Sequence, residues 1–191
     1  MSGMKVLGAN VLLQLVLLVG GCSGERAHRM LDAESTESAQ RDAGYTLLIT
    51  LLGDESRVDG ILMIKSLPGP VSRLVERISA ESQSGRRKLV EALESPPLVT
   101  LGNDGLPLVE VGARRLIRQW TTMELLAGRG ASLERALLVS QLQAVDSIRA
   151  LSETLRDQEA SAERTAILDS LLDAFTPIRA EIWEQLGVIG D

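Results

Sequence analysis

The chain holds 191 residues, with 20 Lys plus Arg against 26 Asp plus Glu and a formal charge of -6 at pH 7. That length suits one domain, and an acidic balance spread along it lacks the basic footprint that a nucleic-acid binder needs. The aromatic residues are Tyr45, Trp120, Phe175 and Trp183, too few for a β-sandwich or barrel, whose strands draw on aromatic and β-branched side chains.

The first element is a sorting signal. Lys5 precedes an apolar run from Val6 to Val19, interrupted only by Asn10 and Gln14 among strongly polar residues. The run is too short to span a bilayer comfortably and has the flanks of an export signal. Gly20 and Gly21 then precede Cys22, the only cysteine. A lone thiol in an oxidising compartment has no internal disulfide partner, so a cap on the sulfur makes better sense of it. Leu18-Val19-Gly20-Gly21-Cys22 resembles the lipobox of bacterial lipoproteins, a resemblance that covers about the first 23 residues. It implies cleavage before Cys22, a diacylglycerol thioether on its sulfur and acylation of the new amine, palmitate being the expected kind of chain. Ser23 then implies an outer-membrane destination, on its periplasmic face in a diderm host. Several acyl chains give stable anchoring where one alone is marginal. Ordinary secretion with an incidental cysteine is the plainer alternative.

The expected organisation is a cleaved signal peptide over residues 1–21, a lipidated Cys22 with a short polar tether to residue 35, and a single helical domain over residues 36–191. The tether carries Arg26, His28 and Arg29. A first helix is predicted from Thr36 to Lys65, with Leu48, Leu51 or Leu52, Glu55, Val58 or Asp59, and Leu62 on its inner face. Gly44, Gly53 and Gly60 each weaken it by about 1 kcal/mol relative to Ala, so two shorter helices are the alternative. Pro68-Gly69-Pro70 breaks the chain. A second helix follows from Val71 to Glu94, its stripe Val71, Leu74, Ile78, Ser82, Gly85, Leu89 and Ala92 spaced by threes and fours.

Pro96 and Pro97 end that helix, and Gly102-Asn103-Asp104-Gly105 is a turn signal. A short strand at Leu98–Leu101 would have no partner. Pro107 opens a shorter helix to Ala127, lined on one side by Val109, Ala113, Leu116 or Ile117, Trp120, Met123 and Leu126. A fourth helix runs from Leu133, capped by Ser132, to about Glu159 with Leu137, Gln141, Ala144, Ile148, Leu151 and Leu155 inward. The last spans Ala162–Leu186 on Leu168, Leu171, Phe175, Ile178 and Ile182, with Pro177 predicted to kink it. The fold class is therefore all-α, an irregular four-helix bundle with an additional short helix. The gap between the first and last helix pairs predicts a crossover.

The toolkit for chemistry is thin. His28 is the only histidine, so Ser-His-Asp and Cys-His arrangements have no ordered base, and Cys/His zinc sites lack ligands. Glu-x-x-His, the signature of di-iron bundles, does not occur, nor does a P-loop or dinucleotide fingerprint. No catalytic residue, cofactor or metal site is expected. Glu55 and Gln141 interrupt apolar stripes; Glu55 reads as a boundary position or as the partner of a buried Arg, Gln141 as a register-fixing hydrogen-bonder.

Arg86-Arg87-Lys88 and Arg114, Arg115 and Arg118 form basic clusters, read first as solvated faces and second as docking surfaces. Trp120 and Trp183 read first as core, second as interaction anchors. The candidate interaction residues are thus Arg114, Arg115, Arg118 and Trp120, with Cys22 for lipidation. The expected function is a non-enzymatic, lipid-anchored envelope protein, a structural or protein-interaction module. Its expected partners are the membrane, through acyl chains on Cys22, and an envelope protein; nucleic acid is not expected. The alternative is a carrier of a small apolar or lipidic ligand between helices, for which Ser82 and Gly85 would leave room.

Overall fold

The computed structural model describes the backbone of residues 22–102 and 107–190, and the side chains of 37–102 and 107–189. The signal peptide expected over residues 1–21, the centre of the expected turn at residues 103–105 and the side chain of Cys22 lie outside the described residues. Contacts divide the chain into two compact units, Met1–Gln40 and Arg41–Asp191. The described part of the first is helical from Cys22 onward, so the polar stretch expected as a tether has helical backbone.

The described residues are all-α. Helix α1 spans Cys22–Glu55, and a 3-10 turn, Val58–Met63, follows it; α2 is Gly69–Leu93, α3 Leu108–Ala127, α4 Gly130–Arg156 and α5 Ala162–Gly190. No strand forms among the described residues, and Leu98–Leu101 is irregular. The first predicted helix thus ends early. After Glu55 the chain tightens to a 3-10 turn around Gly60 rather than continuing to Lys65. Helix α4 begins before its expected Ser132 cap, at Gly130, whose φ of 53° is a backbone state that glycine adopts freely. Helix α5 continues through Pro177. Pro177 is exposed, so the carbonyl one turn back that loses its donor can turn to water.

Named contacts fix the order of the helices. Ser79 Oγ donates to Ser56 O at 2.9 Å, and Gly53 lies against Arg86, so α1 and α2 run antiparallel. Arg77 with Glu181, and Gly85 with Leu171, set α2 antiparallel to α5. Asp146 with Arg179, and Arg156 with Asp169, do the same for α4 and α5. Gly44 against Leu155 closes α1 on α4. Around the core the order is α1, α2, α5, α4. Two hairpins therefore make the bundle, and α2 and α4 run parallel to each other. The chain must travel the length of the bundle between them, and α3 is that crossover, running beside α1. Its start is tied by Thr100 N–H to Asp42 Oδ2 at 3.0 Å and Gly102 N–H to Thr46 Oγ1 at 3.0 Å. Its end is capped by Lys65 Nζ, which donates to the carbonyls of Leu126 at 2.6 Å and Gly128 at 3.0 Å.

The core is where the spacings put it in four helices. Every residue of the predicted α2 stripe is buried, as is every one of Leu168, Leu171, Phe175, Ile178 and Ile182 on α5. Leu48 and Leu52 join them from α1, with Leu137, Gln141, Ala144, Ile148 and Leu155 from α4. The small residues in the middle of α2 leave no void: a Cβ added at Gly85 would overlap Cδ2 of buried Leu171. Gly85→Ala is therefore expected to gain about 1 kcal/mol of helix propensity and lose about 1–3 kcal/mol to overpacking. A net loss of stability, read by urea denaturation, is expected; a net gain would mean that Leu171 has room to move.

Candidate interaction surface

Helix α3 departs from the predicted pattern. It was expected to be lined on one side by Val109, Ala113, Leu116 or Ile117, Trp120, Met123 and Leu126, with Trp120 read first as core, yet none of its residues is buried. Trp120 is 63 % exposed, and the large apolar side chains of α3 from Leu108 to Leu126 range from 44 to 88 % apart from the half-buried Val111 and Leu125. The physical reason is the ring already described. Four helices close the core, so a fifth lies outside it and covers one flank with Leu125, which packs against the core. At 100° per residue, the half-buried Val111, Thr121 and Leu125 share one side of the helix, and Val109, Leu116, Trp120 and Met123 share the other. The apolar face therefore points to solvent. Met63 and Ile64 are also exposed, close to the end of α3 where Lys65 reaches Leu126. On folded proteins, large contiguous apolar patches accompany protein or membrane contacts and ligand grooves.

The arginines of the expected cluster do not share that face. Arg118 Nη1 lies 2.9 Å from Asp54 Oδ2 on α1, and Arg114 Nε lies 2.8 Å from Glu110 Oε1 one turn back. Both are half-exposed pairs that add little stability, and they commit the guanidiniums to Glu110 and Asp54. Arg115 is exposed at the edge of the apolar face. An open depression of about 490 Å³ beside it is lined by Arg115, Arg118, Gln119, Trp120, Thr122 and Met123. Trp183, expected in the core, is half exposed on α5 with the Arg179 guanidinium 6.0 Å from its ring centroid.

Two buried polar clusters remain, and both are structural. At the end of the bundle where α5 begins, Arg164 is fully buried. Its Nε donates to Ala92 O at 3.3 Å, and its Nη2 to Ser95 O at 2.6 Å and to Pro97 O. Its Nη1 lies 3.6 Å from Glu159 Oε2. That carboxylate also accepts the Tyr45 hydroxyl and, at 2.8 Å, the Ser161 N–H. Burial pushes the Glu159 carboxyl up, but the hydrogen bonds and the Arg164 and Arg41 cations outweigh it and hold it below its usual range. Burial, then Glu159 itself, raise the Tyr45 hydroxyl above its usual range. The arrangement clamps the α2 C-terminus, where unpaired carbonyls favour a cation. Arg164 escaped the sequence reading, although it continues the Leu168, Leu171, Phe175 stripe one step toward the N-terminus.

The second cluster pairs the two polar residues that interrupt apolar stripes. Glu55 hydrogen-bonds Gln141 across α1 and α4, and it does not meet an Arg. Burial is the main cause that lifts its carboxyl from 4.5 to about 7, the Gln141 hydrogen bond lowers it and the Asp54 charge raises it further. Glu55 Oε2 and Gln141 Oε1 are buried without a hydrogen-bond partner. A proton on Glu55 can serve both, by letting the carboxyl donate to the amide oxygen.

Among the described residues, no three His, Cys, Asp or Glu come together as metal ligands, and no helix is long and apolar enough to cross a membrane. No family model matches the chain, and no curated protein and no solved structure matches it significantly.

Proposed function

We propose that the protein is a non-enzymatic, lipid-anchored module of the bacterial envelope, held at the membrane by acyl chains on Cys22 and working through the outward face of α3. The observation that carries this reading is the apolar half of α3, uncovered around Trp120 on an otherwise well-packed bundle. Its lipid anchor rests on the lipobox-like residues before Cys22, which favour export to the periplasmic face of an outer membrane. The carrier reading loses support where it was most concrete. Leu171 fills the space beside Gly85, and Ser82 is fully buried in the same packed stripe.

Two measurements test the reading. The full chain, expressed with its own N-terminus, is expected to incorporate labelled palmitate, and Cys22→Ala is expected to abolish the incorporation. A photo-crosslinking residue placed at Trp120 is then expected to capture a protein in intact cells, while the same residue at exposed Glu153 on α4 does not. Trp120→Ala should leave stability within about 0.5 kcal/mol, as for a surface position outside the packed core. A lipidated, folded protein that captures nothing at position 120 would sink the interaction reading.

A further inference from the structure

The occupant of the α3 face can be narrowed from the residues themselves. The stripe Val109, Ala113, Leu116, Trp120, Met123 and Ala127 repeats at four, three, four, three and four residues over the whole helix. That is the spacing of a coiled-coil seam. We propose that this seam pairs with the same helix of a second copy, antiparallel about a two-fold axis beside Ile117 and Gln119. The inference rests on the reading of α3 as an interaction surface and names its partner.

Side-chain size supports the register. In an antiparallel pair centred on residue 118, Leu116 of one copy meets Trp120 of the other, Ala113 meets Met123, and Val109 meets Ala127. Two of those three layers set a small residue against a larger one, which is how facing positions interdigitate without voids. A two-fold interface must be self-complementary, and this stripe is, because its large and small residues exchange places about its midpoint. Area supports it too. Of the seven large apolar side chains of α3 that are 44 to 88 % exposed, Val109, Leu116, Trp120 and Met123 lie on the stripe and Ile117 beside the axis; at roughly 100 Å² apiece these five supply on the order of 500 Å² per copy, the size of a weak, reversible dimer.

Charge separates this occupant from a lipid surface. The acidic residues Glu110 and Glu124 border the stripe on one side, while Arg114 and Arg118 lie on the opposite half of the helix, paired with Glu110 and Asp54. A helix that lies on an anionic bilayer carries its basic residues beside the apolar face; here Arg115 alone does so. In the pair, Glu110 of one copy approaches Glu124 of the other. Glu110 carries its own counter-charge, Arg114, at 2.8 Å, so few unbalanced charges meet here and dimerisation depends little on salt, unlike adsorption to anionic lipid, which salt weakens.

The test uses the full chain in its native membranes. Gln119→Cys and, separately, Ile117→Cys are treated with a short bis-maleimide, with the parent chain, which has only Cys22, as the control. Both variants are expected to give a species of twice the monomer mass that the parent lacks. Adding Trp120→Asp is expected to remove it, through a loss of about thirty-fold or more in dimer affinity, with an unchanged helical circular dichroism spectrum. A crosslink that survives Trp120→Asp in the folded protein overturns the proposed seam. Crosslinking to a different protein overturns the second-copy assignment and leaves the interaction reading standing. No crosslink from either cysteine overturns the second-copy assignment, and the residue-120 photo-crosslink then decides the interaction reading on its own. In mild detergent, a monomer whose residue-120 probe is shielded only by added phosphatidylglycerol vesicles would assign the face to lipid instead.

Discussion

Arg164→Ala is expected to be the most damaging single change in the bundle, at about 3–5 kcal/mol. The side chain is fully buried and joins three separate pieces of the chain: the α2 C-terminus through Ala92, the following loop through Ser95 and Pro97, and the carboxylate of Glu159. Truncating it leaves Glu159, whose side chain is 1 % exposed, with a charge supported by Tyr45, Ser161 and the Arg41 cation but without its buried guanidinium partner. It also strands carbonyls at a helix end whose own last turn carries no basic residue. Arg164→Lys keeps the charge but not the fork that reaches Ser95, Pro97 and Glu159 together, so it should recover only part of the loss. Urea denaturation of the three proteins at pH 7 measures this directly. If Arg164→Ala lost less than about 1 kcal/mol, the network would be decoration on a bundle already closed by its apolar stripes.

Glu55→Gln is expected to stabilise the protein at neutral pH and to change its response to pH. The Glu55 carboxyl rises from 4.5 to about 7 on folding, chiefly through burial. The folded state therefore binds this proton more tightly than the unfolded state. The sign follows: the contribution is fully present below pH 4.5, declines as pH rises toward 7 and is gone above it. Its size is on the order of 3 kcal/mol. A glutamine at this position can face Gln141 without ever ionising. The variant and the parent should have similar unfolding free energies near pH 4 and diverge progressively up to pH 8, the glutamine form being the more stable. Other groups titrate in both proteins alike, so the difference between them isolates Glu55. Curves that stay parallel across this range would show that water reaches the carboxylate.

Why α2 and α5 were legible in the sequence, and α3 only half so, has one physical explanation. A three-and-four spacing reports that one side of a helix is apolar. It does not report whether anything covers that side. For Ile78, Leu89, Phe175 and Ile182 a neighbouring helix does, and the expectation of burial held. For Leu116, Trp120 and Met123 the same rhythm ends in solvent, because the crossover lies outside the closed ring of four. The crossover itself was legible, since two hairpins separated by so long a segment cannot all be joined by tight turns. Polar residues divided similarly. Glu55 and Gln141 stood out by interrupting stripes, and they met each other. Arg164 was overlooked because its place on the α5 stripe lies one step before the first leucine, where an arginine reads as part of a solvated helix start. Arg114 and Arg118 formed a conspicuous cluster in sequence, yet their nearest carboxylates, Glu110 and Asp54, decide where they point.

The crossover has an evolutionary consequence. Because α3 contributes no buried residue, the side chains that would recognise a partner are not those that hold the bundle together. Substitutions along Leu116, Trp120 and Met123 can change what this surface recognises with little penalty to folding, whereas substitutions at Leu171 or Arg164 are constrained whatever the protein binds. On the proposed reading, recognition and architecture occupy different residues of the same chain, so one can drift or be redesigned while the other stays fixed.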